Sequence, residues 1–203
     1  MIAILDYGVG NLFSLRSSLE YIGQQAMVTA DKEVIRQADK LILPGVGAFA
    51  DAAKKLRDSG LDDVLRDEVA RGKDMMGICL GMQLLFEKSY EFGEHDGLGL
   101  LKGSVVPMQG TIPSNLKIPH IGWNELHFDE NCRLFRYLSK GDCVYFVHSY
   151  YAVDCDDSVA ATVEYGKELT ASVAKGNVMG CQFHPEKSGE VGLNILRAFC
   201  EEE

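Results

Sequence analysis

What this 203-residue sequence lacks narrows it first. No apolar run approaches the roughly 20 residues that a membrane helix needs. The start, Met1 to Asp6, has no basic region ahead of an apolar one, so it does not read as a secretory leader. There is no Cys-x-x-Cys pair, and the six cysteines (Cys79, Cys132, Cys143, Cys155, Cys181, Cys200) are irregularly spaced, which argues against both a zinc site and a disulfide framework. Neither G-x-x-x-x-G-K-[ST] nor G-x-G-x-x-G occurs, so no phosphate loop is expected. Positive charge is also short: 20 Lys and Arg face 30 Asp and Glu, a formal net charge of −10. Such a chain is a poor general binder of nucleic acid, whose affinity rests on clustered basic residues. The five histidines are too scattered for a metal site, and no cofactor is implied. Reduced thiols and a cytoplasmic location are the expectation.

What is present is ordinary for a folded domain: 46% hydrophobic and 25% charged residues, with no repeat and no Pro- or Ser-rich linker. One domain over residues 1–203 is expected. Up to about residue 98, short apolar runs alternate with amphipathic segments. Strands are predicted at 2–5, 26–29, 41–43 and 75–78. Helices are predicted at 12–22 (capped by Asn11, with Leu12, Leu15, Leu19 and Ile22 on one face), 31–38, 49–56, 61–70 and 82–87. This alternation implies right-handed crossovers and a doubly wound, mostly parallel α/β sheet. Beyond it, strand patterns at 105–106, 117–121, 126–128, 144–147, 159–163, 170–174 and 178–183 suggest an antiparallel β extension, with turns at 165–167 and 175–177 and a closing helix at 192–199.

The chemistry concentrates in Gly77-Ile78-Cys79-Leu80-Gly81, where an apolar strand runs into G-x-C-x-G and then a helix. This is a nucleophile-elbow layout with sulfur for oxygen. Flanking glycines suit a turn too tight for side chains. A helix N-terminus favours thiolate, and the Leu80 N–H is placed to meet an oxyanion. A buried cysteine beside packing glycines is the bland alternative. The matching base is His184 in Phe183-His184-Pro185-Glu186, at the end of a strand. In an extended segment Glu186 would point the same way and orient the imidazole, with Pro185 fixing the backbone between them. His148 ends another strand pattern and could border the same cleft. His120 and His127 read as structural or interfacial, and His95 as part of an exposed turn. The glycine-rich loop at 44–47 could supply a second oxyanion donor.

Taken together these stretches resemble class I glutamine amidotransferases. Six motifs carry the resemblance: Asp6-Tyr7-Gly8-Val9-Gly10-Asn11-Leu12, Leu43-Pro44-Gly45-Val46-Gly47-Ala48-Phe49, Gly77-Ile78-Cys79-Leu80-Gly81-Met82-Gln83, Pro119-His120-Ile121-Gly122-Trp123-Asn124, Tyr145-Phe146-Val147-His148-Ser149-Tyr150-Tyr151, and Phe183-His184-Pro185-Glu186-Lys187-Ser188. Within the family the sequence is most similar to the branch forming the glutaminase half of imidazole glycerol phosphate synthases. The resemblance implies a flavodoxin-like core and hydrolysis of glutamine through a Cys79 thioester, with His184 as base and Glu186 orienting it. It implies an oxyanion hole from Leu80, Val46 and Gly47, and a glutamine head group held by Gln83, Glu91, Ser149 and Tyr150. It also implies a (β/α)₈-barrel synthase partner that receives the ammonia for histidine biosynthesis, contacted through Asn11, Trp123, Tyr145 and Lys187, and that switches the glutaminase on. A fused barrel of roughly 250 residues would not fit in this length. The alternatives are a glutaminase serving another synthase, such as that of pyridoxal phosphate, or a cysteine hydrolase of similar fold acting alone.

Overall fold

A computed structural model describes residues 1–201. The expected span of 1–203 therefore ends two positions outside the described residues.

The first half follows the predicted alternation. β1 (Ile2–Leu5), α1 (Leu12–Tyr21), β2 (Ala26–Thr29), α2 (Lys32–Gln37), β3 (Lys40–Leu43), α3 (Phe49–Ser59), α4 (Leu61–Ala70), β4 (Asp74–Ile78) and α5 (Leu80–Gln83) succeed one another. The second half holds the short strands β5 (Lys88–Ser89) and β6 (His95–Asp96), then β7 (Ser104–Pro107), β8 (His120–Glu125), β9 (His127–Phe128), β10 (Cys143–His148) and β11 (Tyr150–Val153). β12 (Val159–Glu164), β13 (Glu168–Lys175), β14 (Val178–Cys181) and α6 (Gly189–Cys200) close the chain.

One sheet of eight strands runs in the order β2-β1-β3-β4-β14-β13-β12-β9. The first five are parallel and the remainder antiparallel. The predicted α/β architecture, with its antiparallel extension, is what is observed. Side-chain alternation divides the core. Ile2, Ile4, Ile42, Met76 and Ile78 pack with Leu15 and Leu19 of α1 and Ile195, Leu196 and Phe199 of α6 on one face. Ala3, Leu5, Leu41, Leu43 and Met75 pack with α2, α3 and α4 on the other. A strand covered on both faces must be apolar throughout, which is why these strands read as unbroken hydrophobic runs. Two smaller sheets stand beside the main one: the antiparallel pair β8–β10, and β11-β7-β5-β6.

Several sequence expectations need correction. Asn11 precedes α1 but its side chain makes no capping bond, because its backbone (φ −89°, ψ 65°) is not in the extended region that aims a capping side chain at the helix. Asp31, by contrast, caps α2 through the N–H groups of Glu33 and Val34. The helix expected at 82–87 is instead a single turn starting at Leu80; the chain leaves it to bring Gly97 against the Phe86 carbonyl. The strand expected at 117–121 lies at His120–Glu125, and that at 178–183 stops at Cys181. β11 was not expected, and His95 lies in a short strand paired with Ser89 rather than in a simple turn.

The carboxyl end of the parallel sheet is where backbones crowd. A Cβ on Gly81 would sit 1.8 Å from the Leu43 carbonyl oxygen, and one on Gly77 would sit 2.6 Å from that of Gly81. Both glycines therefore answer to the approach of β3, β4 and α5. Gly81→Ala forces these apart, and we expect a stability loss of about 3 kcal/mol, read as a lower urea midpoint.

Candidate active site

β4 and β14 pair in parallel, with Ile78 opposite Cys181. The Cys79 N–H donates to the Cys181 carbonyl at 2.7 Å, which ties the elbow to the strand that leads to His184. Cys79 itself adopts φ 55°, ψ −112°, outside the range that side-chain-bearing residues prefer. Such strain at a lone residue marks functional turns. Leu80 begins α5, so its N–H has no carbonyl one turn back to meet.

His184 is held by its backbone. Its N–H donates to the Tyr145 carbonyl at 3.0 Å. Its own carbonyl accepts from Ser188 Oγ at 2.7 Å, and that Oγ accepts from the Tyr145 N–H at 3.0 Å. Nδ1 of His184 lies 2.9 Å from Glu186 Oε1, and both side chains are only 3% exposed. The link between them is not the extended one the sequence suggested. Pro185–Lys187 is a 3₁₀ turn, and the curl brings the carboxylate back to the Nδ1 edge of the ring. Glu186 Oε2 is buried and unpartnered among the described residues. Burial alone would lower the His184 pKa, but hydrogen bonds with Cys79 and Glu186 outweigh it and raise the pKa to about 9.

A cleft of about 380 Å³ opens over these groups, lined by Val46, Gly47, Cys79, Leu80, Gln83, Glu91, Pro119, Val147, His148, Ser149, Tyr150, His184 and Lys187. It lies where strands end in a parallel sheet, the usual place for a ligand. Every candidate catalytic, oxyanion and head-group residue lines it except Glu186, which stands behind His184. Gln83 is buried, not on a solvated helix end: its Nε2 donates to Gln182 Oε1 at 3.0 Å and to the Tyr150 carbonyl at 3.3 Å. Glu91 accepts from the Phe49 N–H at the start of α3. The root of the 44–47 loop is clamped, since a Cβ on Gly45 would meet Gly81 N, Leu80 Cβ and the Tyr7 hydroxyl within 2.9 Å. Tyr7 also donates to the Pro44 carbonyl at 2.6 Å. Its tip has room: a Cβ on Gly47 (φ +96°) would meet nothing within 4 Å, and Val46 is exposed.

A larger cleft of about 460 Å³ lies at the opposite, amino end of the strands. Its charges are paired off, Lys40 with Asp74 at 2.8 Å and Arg133 with Asp74 at 2.9 Å, and it lacks a nucleophile. Among the described residues no cluster has the makings of a metal site, and no helix is long and apolar enough to cross a membrane.

Of the expected contact residues, Lys187 alone lines the cleft. Trp123 (57% exposed) faces Tyr145 across β8 and β10, ring to ring at 6.1 Å. Helix α1, which Asn11 precedes, packs against the Pro185–Lys187 turn. Sequence reasoning missed Tyr7 and Gln182, and gave His148 only a border role. A polar residue ending a strand that is buried on both faces was the available signal for Gln182.

The family model for "Glutamine amidotransferase class-I" matches residues 3–202. The chain belongs to the class I glutamine amidotransferases. Among curated amidotransferase relatives, a protein of Lactococcus lactis described as "Imidazole glycerol phosphate synthase subunit HisH" is 50% identical over 202 residues, covering 99% of this chain and 98% of the relative. One of the same description from Aquifex aeolicus is 50% identical, covering 97% and 94%. Solved amidotransferase structures agree in fold. One described as "Crystal structure of glutamine amidotransferase" gives a TM-score of 0.76 at 21% identity over 98% of this chain and 99% of that one. "Structure of PurLQS from Thermotoga maritima" gives 0.76 at 25% over 98% and 96%.

His120 and His148 form a second, neutral pair. Nδ1 of His120 and Nε2 of His148 are 3.1 Å apart. Burial lowers both to about 4; for His148 the bond to the Tyr150 carbonyl opposes this, and His120 and His184 add to it. The two groups thus act oppositely on stability. The His184 contribution is whole below 6.5 and is lost as pH rises through about 9. The advantage of wild type over His184→Gln in urea unfolding should therefore narrow across that interval. The neutral pair contributes above 6.5 and its contribution is lost as pH falls through about 4. His120→Phe, which keeps the stacking on Phe146 and Tyr165, should lose less stability than wild type over that fall.

Proposed function

We propose that this chain hydrolyses glutamine to glutamate and ammonia and passes the ammonia to a (β/α)₈-barrel synthase subunit that makes imidazole glycerol phosphate, in the histidine pathway of the cytoplasm. Residues 1–203 act as one amidotransferase domain without a cofactor. The observation that carries the reading is Cys79, in a strained elbow and lining the same cleft as a His184 that is itself paired with Glu186.

Cys79 Sγ, its proton passed to His184, attacks the side-chain amide carbon of glutamine. The oxygen gathers charge and is met by the N–H of Leu80 and by one from the Val46 and Gly47 region. His184 delivers a proton to the departing nitrogen, and ammonia leaves a thioester. Water, deprotonated by His184, then attacks the thioester carbon, giving glutamate and returning the sulfur. Glu186 holds the imidazole by Nδ1 and leaves Nε2 for the sulfur. Glu91 receives the substrate ammonium, with Gln83, Ser149 and Tyr150 around the head group; both Gln83 amide protons are engaged with the protein, so its Oε1 is the atom offered. The room at the Gly47 tip lets a peptide turn its N–H into the cleft when the synthase seats against Asn11, Trp123, Tyr145 and Lys187. Full-length relatives described as imidazole glycerol phosphate synthase subunits support this choice of partner.

Cys79→Ala should abolish glutamine-dependent synthesis by the assembled enzyme while synthesis from ammonium salts persists. Loss of both, or survival of both, removes the reading. The isolated wild-type chain should turn over glutamine more slowly than the assembly, and equal rates would remove the loop switch.

A further inference from the structure

Gln182 is fully buried one residue beyond β14 and Cys181, with its backbone N–H on the Ala171 carbonyl at 2.8 Å. Its Nε2 lies 3.7 Å from Cys79 Sγ, within hydrogen-bond reach for sulfur. Oxygen and nitrogen of a side-chain amide must be told apart by their partners, and here the partners decide. The Tyr150 carbonyl can only accept, so Gln83 Nε2 (3.3 Å) and His148 Nδ1 (2.8 Å) both donate to it. A neutral His148 then accepts at Nε2 from His120 Nδ1, 3.1 Å away. Gln83 spends its second proton on Gln182 Oε1 at 3.0 Å. The other end of Gln182, its NH₂, is thereby turned toward the sulfur. The relay runs from His120 through His148, the Tyr150 carbonyl, Gln83 and Gln182 to the nucleophile, and no step in it carries a net charge.

We propose that Gln182 is a catalytic residue, a neutral donor that steadies the Cys79 thiolate and fixes the sulfur beneath the substrate, oriented through Gln83 by the Tyr150 carbonyl. The proposal rests on Cys79 being the nucleophile. A neutral donor favours the thiolate without competing with His184 for the ion-pair position. Other polar groups surround the sulfur's cleft: His184 backed by Glu186, His148 from β10, and Glu91 and Lys187 line it, and Tyr7 stands near the end of β1. Tyr7 gives its proton to the Pro44 carbonyl, so among these groups Gln182 is the one uncharged donor aimed at the sulfur.

The test is the rate of Cys79 alkylation by iodoacetamide against pH, read by peptide mass spectrometry to separate Cys79 from the other cysteines, together with glutamine kinetics of the assembled enzyme. Gln182→Met removes the donor at similar volume. We expect alkylation at pH 7 slower by about tenfold and its half-point about one pH unit higher, the scale of one hydrogen bond to a charged group. On the same basis kcat should fall about tenfold with KM within about threefold. Gln182→Glu, which puts a carboxylate against the sulfur, should be slower still. A methionine variant that alkylates and turns over within twofold of wild type overturns the proposal. Should either variant fail to fold, the wild-type protein decides by ¹⁵N NMR. The Gln182 side-chain amide protons should shift over the pH interval in which alkylation accelerates, and should not do so in Cys79→Ser; a flat response in wild type overturns the proposal. Failure of the underlying reading looks different, since Cys79→Ala would then still release ammonia from glutamine.

Discussion

The site is organised by a backbone approach too close for side chains. β3 ends against the first turn of α5, and the Leu43 carbonyl occupies the space where Gly81 would carry a Cβ. That contact forces β4 to reverse within one residue, and the residue at the reversal is Cys79. The strain there is held by the register of β4 against β14, which fixes the Cys79 N–H on Cys181. It is also held by the packing of Gly45 between Tyr7 and the elbow. The geometry of the Cys79 elbow is thus a property of the sheet's carboxyl edge and not of any one loop.

Electrostatics then sorts the histidines. Three of the five come together near the cleft, and burial lowers the pKa of each. Only His184 has an acidic partner and a thiol to reverse that tendency. His148 and His120 have a carbonyl and each other, and stay neutral. One imidazole can therefore move protons while the other two act as fixed dipoles. A charged His148 beside His184 would oppose the imidazolium that the chemistry needs, so the low pKa of the pair is compatible with the base being high.

The parallel half of the fold was legible because its inner strands β1, β3 and β4 are covered on both faces and read as short apolar runs that end near glycine-marked turns. Cys79, His184 and Glu186 were legible from G-x-C-x-G and H-P-E, since tight turns leave few residue choices. What the sequence hid was the way in which the carboxylate reaches the ring, because a proline permits an extended segment or a 3₁₀ turn equally. It hid β11 and the displaced β8, whose pairing depends on partners far along the chain. It also hid Gln182, because a glutamine in a strand pattern looks like a solvent-facing position until the neighbour covering it is known. Asn11 shows the opposite failure, a favourable capping residue whose backbone angles keep its side chain from the helix.

Tyr145 belongs to two surfaces at once. Its ring stands with Trp123 on the outer face, while its carbonyl holds the His184 N–H and its own N–H meets Ser188. A molecule that settles on that aromatic pair leans on the peptide unit that sets the height of the imidazole. Under the proposed function, recognition and proton transfer would be mechanically coupled at this position. A substitution at residue 145 would disturb both, and a defect measured there could not be credited to either one alone.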